Sequence, residues 1–492
     1  MKQVKLNTLL TGLNYKLEQG FAEIDIAGLS DNSRSVKEGY LFIAVAGSRF
    51  DGHNFVKQAV SKGARAVILE QDIPLEKKDV SKILVPDTKK ILPKLASRFY
   101  EYPSSNVKVI GITGTNGKTT TSYLSDSILS RKAISSARVG TINRRFKDKI
   151  IPAGLTTPGA VDLQSFLSRM IFDNIDCLIL EVSSHSLSQH RVDCIDFDLG
   201  VFTNLTRDHL DYHRTMDNYF NTKAKFFECL SSRSRAIINI DDSYGEMLVN
   251  RTKADVLTYG MDSPADIRGK IKKISFDGTT FDVQTPKGRL AVEMKLVGKF
   301  NVYNALAAIG IALSMKVDLA TITAALRDFE GVEGRLQEIK TGQPFKVFID
   351  YAHTSDALEN LLYTLQPLKQ AGIITIFGCG GMRDSSKRPL MGKTAQQFSD
   401  YVILTSDNPR GEDPLEIIAQ IRSGMDSQRG NYKIIPDRYQ AIKEGLYRAE
   451  KNDIVVIAGK GHESYQIIGN KKIAFDDNKV VREILTECLL NL

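Results

Sequence analysis

Residues 107–120, Val-Lys-Val-Ile-Gly-Ile-Thr-Gly-Thr-Asn-Gly-Lys-Thr-Thr, constrain this chain more than any other segment. A β-rich apolar run passes through a glycine-punctuated loop into a helical pattern opened by Lys118 and Thr119. A buried strand that turns this quickly into a helix leaves unpaired backbone N–H groups pointing at one place. Gly111, Gly114 and Gly117 let that backbone approach a polyanion, Lys118 adds a point charge, and the Thr119 hydroxyl can ligate Mg2+. Ile112 stands where the strict phosphate loop has its first glycine. Gly-Lys-Thr-Thr after a buried strand still predicts a triphosphate cradle, and so an enzyme that uses ATP, in preference to an ordinary strand-to-helix turn.

At 492 residues the chain has room for about three domains, each with its own core. Hydrophobic residues at 42% and charged residues at 25% are the balance of a globular protein. No apolar run approaches the roughly 20 residues that span a bilayer, and the N-terminal residues lack the apolar core of a secretory signal. A cytoplasmic location without membrane insertion is expected. Five cysteines, odd in number and without a Cys-x-x-Cys pair, argue against a disulfide framework or a zinc site. The formal charge of +8 is spread along the chain with no basic run among aromatics, so acidic small-molecule substrates are expected and nucleic acid is not. A monomer is expected.

The pattern of elements predicts an α/β protein of three domains, 1–102, 103–335 and 336–492. In the first, residues 40–46 and 64–69 read as strands around a helix at 55–62, and a Pro-Ser-Ser turn at 103–105 follows. The second alternates apolar strands at 177–182, 199–203 and 236–240 with amphipathic helices, which predicts a mostly parallel sheet covered on both faces. Residues 271–285 read as a hairpin around Asp277-Gly278, and 304–313 as an apolar helix. The third repeats the alternation with strands at 345–349, 373–377, 401–405 and 454–458. Gly-Cys-Gly-Gly at 378–381 lacks the glycine spacing of a dinucleotide fingerprint. Polar and glycine-rich clusters follow seven strands in the second and third units, where ligands of open α/β sheets collect. One composite site at a domain interface is predicted.

Two clusters carry chemistry beyond the loop. Glu181 ends an apolar strand, a position suited to a Mg2+ ligand, and Thr-Asn-Leu-Thr-Arg-Asp-His at 203–209 is dense in groups that orient metal and phosphate. In the helix that follows, Lys223 shares a face with Tyr219, Phe226 and Phe227, whereas Lys225 neighbours Asn221 and Glu228. Lys223 is therefore expected to be buried, and burial lowers a lysine pKa. A neutral amine can take up carbon dioxide to give a carbamate; a plain lysine at the core edge is the alternative.

Taken together, the loop at 114–120, Thr-Thr-Pro at 156–158, Glu-Val-Ser-Ser-His at 181–185, Asn-Leu-Thr-Arg-Asp-His-Leu-Asp at 204–211, Gly-Lys-Phe-Asn-Val-Tyr-Asn at 298–304, Gly-Arg at 334–335, Asp-Tyr-Ala-His at 350–353 and Gly-Lys-Gly-His-Glu at 459–463 resemble the Mur ligase family. The resemblance runs from Asn32-Ser-Arg to Glu463 in the order of the family. It implies a UDP-substrate domain, a central ATPase and a C-terminal Rossmann-like domain that brings an amino acid. The implied reaction is ATP-dependent joining of meso-diaminopimelate to UDP-N-acetylmuramoyl-L-alanyl-D-glutamate through an acyl phosphate, a step of peptidoglycan synthesis that serves cell shape and division.

Residue by residue, the resemblance implies that Gly114, Thr115, Asn116, Gly117, Lys118, Thr119 and Thr120 hold ATP phosphates. It gives Asn301, Arg335, Asp350 and His353 to the nucleoside side and to coupling of the C-terminal domain. Ser33 and the loop Ser48, Arg49 and Phe50 are implied to meet the UDP-sugar, and Thr156, Thr157, Ser183, Gln189 and Arg191 the muramoyl-dipeptide. Thr119, Glu181, His209 and a carboxylated Lys223 are implied around Mg2+. Lys118, Glu181, His209 and Lys223 carry the catalytic assignments. Arg383, Asp407, Asn408, Pro409, Arg410, Gly459 and Glu463 are implied to bind the amino acid.

Asp-Asn-Pro-Arg at 407–410 resembles the diaminopimelate-specific form of that motif, and a guanidinium suits the distal carboxylate that lysine lacks. Asn32, Leu155 and Ser355 depart from the usual aspartate, asparagine and proline of the family. A lysine-adding relative, a folylpolyglutamate synthetase and a non-catalytic nucleotide switch are the competing readings.

Overall fold

The computed structural model describes residues 3–47 and 50–490. Three main sheets follow one another along the chain. The first has five strands in the spatial order Lys16–Gln19, Ser81–Leu84, Ala64–Leu69, Tyr40–Ile43 and Gly28–Ser30, parallel except for its first strand. The third has six strands. Lys346–Asp350, Ile454–Ala458, Ile373–Phe377, Tyr401–Leu404 and Tyr432–Ile434 run parallel, and Gln337–Glu338 pairs antiparallel at one edge.

The central sheet has eleven strands and is parallel only in its middle. Strand Lys108–Thr113 lies between Cys177–Glu181 and Leu199–Phe202, all parallel. Alternation along these strands serves two cores. Ile110, Ile112, Ile179 and Val201 face helices Lys118–Arg131 and Lys299–Ser314, while Val109, Leu178, Leu180 and Phe202 face Ala160–Phe172 and Met216–Glu228.

The antiparallel addition is larger than the sequence pattern indicates. Ile267–Ser275, Gly278–Thr285 and Gly288–Met294 form a three-stranded meander at one end. A second hairpin, Asn143–Phe146 with Lys149–Pro152, closes the other end. Its outer strand is exposed throughout, so it carries no apolar alternation to reveal it. The Pro-Ser-Ser turn is a short 3-10 helix, Pro103–Asn106. Gly111 also differs from its reading as a phosphate contact. It lies within strand Lys108–Thr113, where an added Cβ would meet Phe226 at 2.6 Å and Phe197 at 2.8 Å. Packing against two aromatic rings therefore requires the glycine.

The register sets the site. Glu181 pairs with Ile112, and Phe202 with Thr113, so three strands of the central sheet end side by side. In the third sheet Phe377, Leu404 and Ala458 end level with Asp350. The two sets of strand ends face each other. Asn116 Nδ2 donates to Asp356 Oδ2 at 2.8 Å, and Arg207 Nη2 donates to Ser386 Oγ at 3.0 Å.

A buried ion pair holds the third set of strand ends. Arg438 Nε and Nη2 donate to the two oxygens of Asp477 at 2.8 and 2.7 Å, and the same guanidinium reaches the carbonyls of Ser406 at 3.3 Å and Ala458 at 3.1 Å. Both side chains are fully buried, so removing one leaves an uncompensated charge. Asp477→Ala is expected to lower unfolding stability by about 3–5 kcal/mol, read by denaturant titration of the third unit's transition.

Candidate active site

Two loop glycines are obligatory. Gly114 (φ 148°) and Gly117 (φ 86°) lie in the left-handed half of φ space, and a Cβ would meet Thr203 Oγ1 at 1.9 Å in the first case and Asn304 Oδ1 at 2.3 Å in the second. The loop is braced from the neighbouring strand end. Thr203 Oγ1 donates to Asn116 O at 2.6 Å, and Asn116 N donates to Asn204 Oδ1 at 2.9 Å. The Thr115 hydroxyl lies 3.1 Å from Tyr219 OH and accepts from Thr206 N at 3.0 Å. Lys118 folds over this loop, donating to Gly114 O and Thr115 O at 2.9 Å each. Burial lowers its pKa against the pull of Glu181 and Asp208.

A cavity of about 600 Å³ opens above the loop, between the central and third sheets. The loop from Thr115 to Thr120 and Asn304 line one side, and Arg335, Tyr351, His353 and Asp356 the other. Asn301 does not line it. It is 3% exposed, donates to Val297 O at 2.9 Å and accepts from Asn304 at 3.1 Å, so it orients Asn304 from behind. Asp350 caps its own loop, accepting from Leu336 N at 2.6 Å and Ala352 N at 2.7 Å. His353 is pushed down to about 4 by burial and by Lys387.

Glu181 is fully buried, and its carboxylate accepts three hydrogen bonds. Thr119 Oγ1 donates to Oε2 at 3.0 Å, Thr141 Oγ1 to the same oxygen at 2.8 Å, and Thr141 N to Oε1 at 3.1 Å. Arg335 Nη2 reaches Thr119 Oγ1 at 3.3 Å. Lys223 is 1% exposed and donates to Gly114 O at 3.0 Å, whereas Lys225 is exposed. Burial, reinforced by the nearby Lys118 ammonium, holds the Lys223 amine well below its usual range. His209 Nε2 lies 3.3 Å from Asp208 Oδ2, and burial together with His185, His353 and Lys118 pushes its ring down to about 3 despite that carboxylate.

On the side facing the first sheet, Thr157 Oγ1 donates to Glu181 O at 2.8 Å and accepts from Ser183 N at 3.0 Å. Arg191 donates to Thr157 O at 3.0 Å and to Gln189 Oε1 at 2.5 Å. Thr156 Oγ1 lies 3.2 Å from Thr141 Oγ1. Ser33 donates to Gln58 at 2.7 Å and Phe50 is 73% exposed, while Ser48 and Arg49 lie outside the described residues.

The C-terminal cluster also forms one patch. Asn408 Nδ2 donates to Glu463 Oε2 at 2.8 Å. Gly459 has φ 110°, and a Cβ there would come 2.8 Å from Asp407 Oδ2. Arg410 follows Pro409 with φ 55° and donates from Nη1 to Gly381 O at 2.9 Å. Its Nε and Nη2 make no hydrogen bond among the described residues. Arg383 is exposed on the adjacent loop, and its charge acts on both Arg410 and His185.

The sequence reading missed Thr141, Asn304, Asp208 and Lys387. Asp208 and Asn304 lie within the quoted motifs at 204–211 and 298–304 but were given no role there. Lys387 is 7% exposed and acts electrostatically on Asp208 across the interface, a contact that no local spacing signals.

The oxygen-rich donors Thr119 and Glu181 suit a hard cation such as Mg2+. No cluster of three His, Cys, Asp or Glu side chains that could hold a metal occurs among the described residues.

Three family profiles match the chain: the Mur ligase family, catalytic domain, at residues 25–100, the Mur ligase middle domain at 112–312, and the Mur ligase, glutamate ligase domain, at 334–461. A relative from Caldanaerobacter subterraneus subsp. tengcongensis, named UDP-N-acetylmuramoyl-L-alanyl-D-glutamate–2,6-diaminopimelate ligase, is 44% identical over 98% of this chain and 99% of its own length. A solved structure of a ligase of that name is 33% identical, with a TM-score of 0.69 over 99% of this chain and all of that one. The MurF ligase from Thermotoga maritima, solved with ADP, shares the fold at 18% identity, with a TM-score of 0.65 over 94% of this chain and 98% of that one. With domains matched in order and a relative aligned nearly end to end, the chain belongs to the Mur ligase family.

Proposed function

We propose that this Mur ligase joins meso-2,6-diaminopimelate to UDP-N-acetylmuramoyl-L-alanyl-D-glutamate, converting ATP to ADP and phosphate, as a cytoplasmic monomer serving cell-wall growth and division. The observation that carries the amino-acid assignment is Arg410. Its guanidinium, half-buried and held by one nitrogen, leaves Nε and Nη2 for a carboxylate at the mouth of the Asp407–Asn408–Glu463 patch. The near full-length similarity to ligases named for that reaction supports the same reading.

The chemistry requires a carboxylate made electrophilic. The γ-phosphoryl group passes from ATP to the D-glutamyl γ-carboxylate, giving an acyl phosphate and ADP. An amine of diaminopimelate then adds to the acyl carbon, loses a proton, and expels phosphate from the tetrahedral adduct. No protein nucleophile takes part; positioning and charge neutralisation are the protein's contribution. Gly114 to Thr120 cradle the triphosphate, with Lys118 swinging from its loop carbonyls to the phosphates. Asn304, Arg335 and His353 border the nucleotide, and Asp350 and Asn301 hold those borders in place. Thr156, Thr157, Ser183, Gln189 and Arg191 orient the dipeptide, and Ser33 with the loop at 48–50 faces the UDP end.

Thr119, Glu181, His209 and a carboxylated Lys223 would hold Mg2+, which when bound supplies charge neutralisation for the transferring phosphoryl group. Burial favours the neutral Lys223 amine, the form that reacts with carbon dioxide. The third unit, already hydrogen-bonded to the loop through Asp356, keeps water from the acyl phosphate.

Lys118→Ala is expected to lower phosphate release on the order of 10^2–10^3-fold with an unchanged melting transition. Full turnover in that variant would contradict the loop assignment. Lys223→Ala should lose most activity and recover part of it with a short carboxylic acid at high concentration; intact mass of the native chain in bicarbonate should show one added carboxyl group. Arg410→Ala should raise KM for meso-diaminopimelate at least about thirtyfold while sparing KM for ATP, because a buried charge-assisted pair is lost. Unchanged diaminopimelate use would remove Arg410 from the pocket.

A further inference from the structure

The loop at 380–383, after strand Ile373–Phe377, and the loop at 408–412, after strand Tyr401–Leu404, are fastened to each other. Gly381 N donates to Asn408 O at 2.9 Å, and Arg410 Nη1 donates back to Gly381 O at 2.9 Å and to Asn408 O at 3.3 Å. Further along, Met382 N donates to Glu412 Oε1. The packing leaves no room for a side chain at Gly381, where a Cβ would meet Pro409 O at 1.9 Å.

Arg388, in the first turn of helix Lys387–Phe398, closes the far end of this contact. It is 1% exposed and donates from Nη1 to Glu412 Oε2 and to Gln420 Oε1 at 2.7 Å each, and from Nη2 to Gly380 O at 3.2 Å. Glu412 is therefore a bridge, with one oxygen on the backbone of the neighbouring loop and the other on a buried guanidinium. That hydrogen bond holds its carboxyl below the usual range.

The bridge works against a repulsion. A Cβ on Gly380 would come 2.8 Å from Arg410 Nη1 and 3.8 Å from Arg383 Cγ, so both arginine side chains pass over the same glycine. Like charges in one space repel. After burial, the Arg383 charge is the largest influence pushing the Arg410 guanidinium down. Met382 and Arg410 also take positive φ, 53° and 55°, a conformation that a non-glycine residue keeps only where its surroundings fix it.

We propose that the Arg388–Glu412 pair is a positioning clamp: by tying the loop of Arg383 to the loop of Arg410, it holds the Arg410 guanidinium in line for the distal carboxylate of diaminopimelate. Arg388 and Glu412 act through Arg410. The substrate rests on the function proposed above, whereas the link between the two loops does not.

Glu412→Ala is the main variant, because its side chain is 31% exposed and its loss leaves the core intact. It should raise KM for meso-diaminopimelate about tenfold, with kcat and KM for ATP within about threefold of wild type. Arg388→Met, which keeps the bulk and removes the donors, should raise the same KM. In an Arg410→Ala background, Glu412→Ala should add less than about twofold to that KM, since both changes disable one guanidinium.

The link is also read without turnover. Amide hydrogen exchange across residues 380–383 should rise at least about tenfold in Glu412→Ala relative to wild type. Wild-type KM for diaminopimelate in Glu412→Ala, multiplied effects in the double variant, or unchanged exchange at 380–383 would each overturn the proposal. Failure of the wild-type enzyme to ligate diaminopimelate would instead overturn the functional reading and leave the exchange result to decide the link.

Discussion

A carboxylate with no access to water, Glu181, sets the terms for the rest of this molecule. A buried carboxyl group at the end of a central strand is tolerated only if the fold delivers hydrogen-bond partners to it, and here they come from the helix after the glycine loop and from the bend that follows the adjoining strand. Meeting that requirement brings Thr119 and Thr141 to one point. Thr119 belongs to the helix that follows the loop, so the loop's position is fixed relative to Glu181. Thr157, bonded to the carbonyl of the same residue, ties in the dipeptide side. Glu181 thus gathers groups from three other stretches of sequence, two on its carboxylate and one on its backbone carbonyl.

The second organising constraint is that the site is shared. Neither sheet alone lines the whole cavity; the strand ends of the central and third sheets each provide one wall. Arg207 bonds to Ser386 across the boundary, and Asn116 to Asp356. Such contacts are weak individually. The Arg438–Asp477 pair sits behind the strand ends of the third sheet and ties together the Ser406 and Ala458 carbonyls there.

What could be read from the sequence was what local spacing controls. The strand, glycine loop and helix at 107–131 announce themselves through period and composition. The burial of Lys223 and exposure of Lys225 follow from two residues of helical rotation. The hairpin at Asn143–Phe146 and Lys149–Pro152 was illegible because an exposed edge strand has no apolar face. Gly111 looked like part of the phosphate contact because a strand glycine and a loop glycine are indistinguishable in a string. Asn301 and Asn304 occupy successive turns of one helix, and only the packing against Gly117 decides which meets the cavity. Thr141 carried no signal because the carboxylate it bonds lies 40 residues away in Glu181.

In the proposed reaction ATP activates the dipeptide γ-carboxylate within this composite site so that diaminopimelate can attack it. The most direct measurement follows oxygen. UDP-N-acetylmuramoyl-L-alanyl-D-glutamate carrying oxygen-18 in its γ-carboxylate is incubated with the enzyme, Mg2+, ATP and either meso-diaminopimelate or L-lysine, and the released phosphate is analysed by mass. The account predicts one labelled oxygen in phosphate for each tripeptide formed, with meso-diaminopimelate far ahead of L-lysine. Unlabelled phosphate would contradict the acyl-phosphate route, and equal product with L-lysine would contradict the pocket built around Arg410.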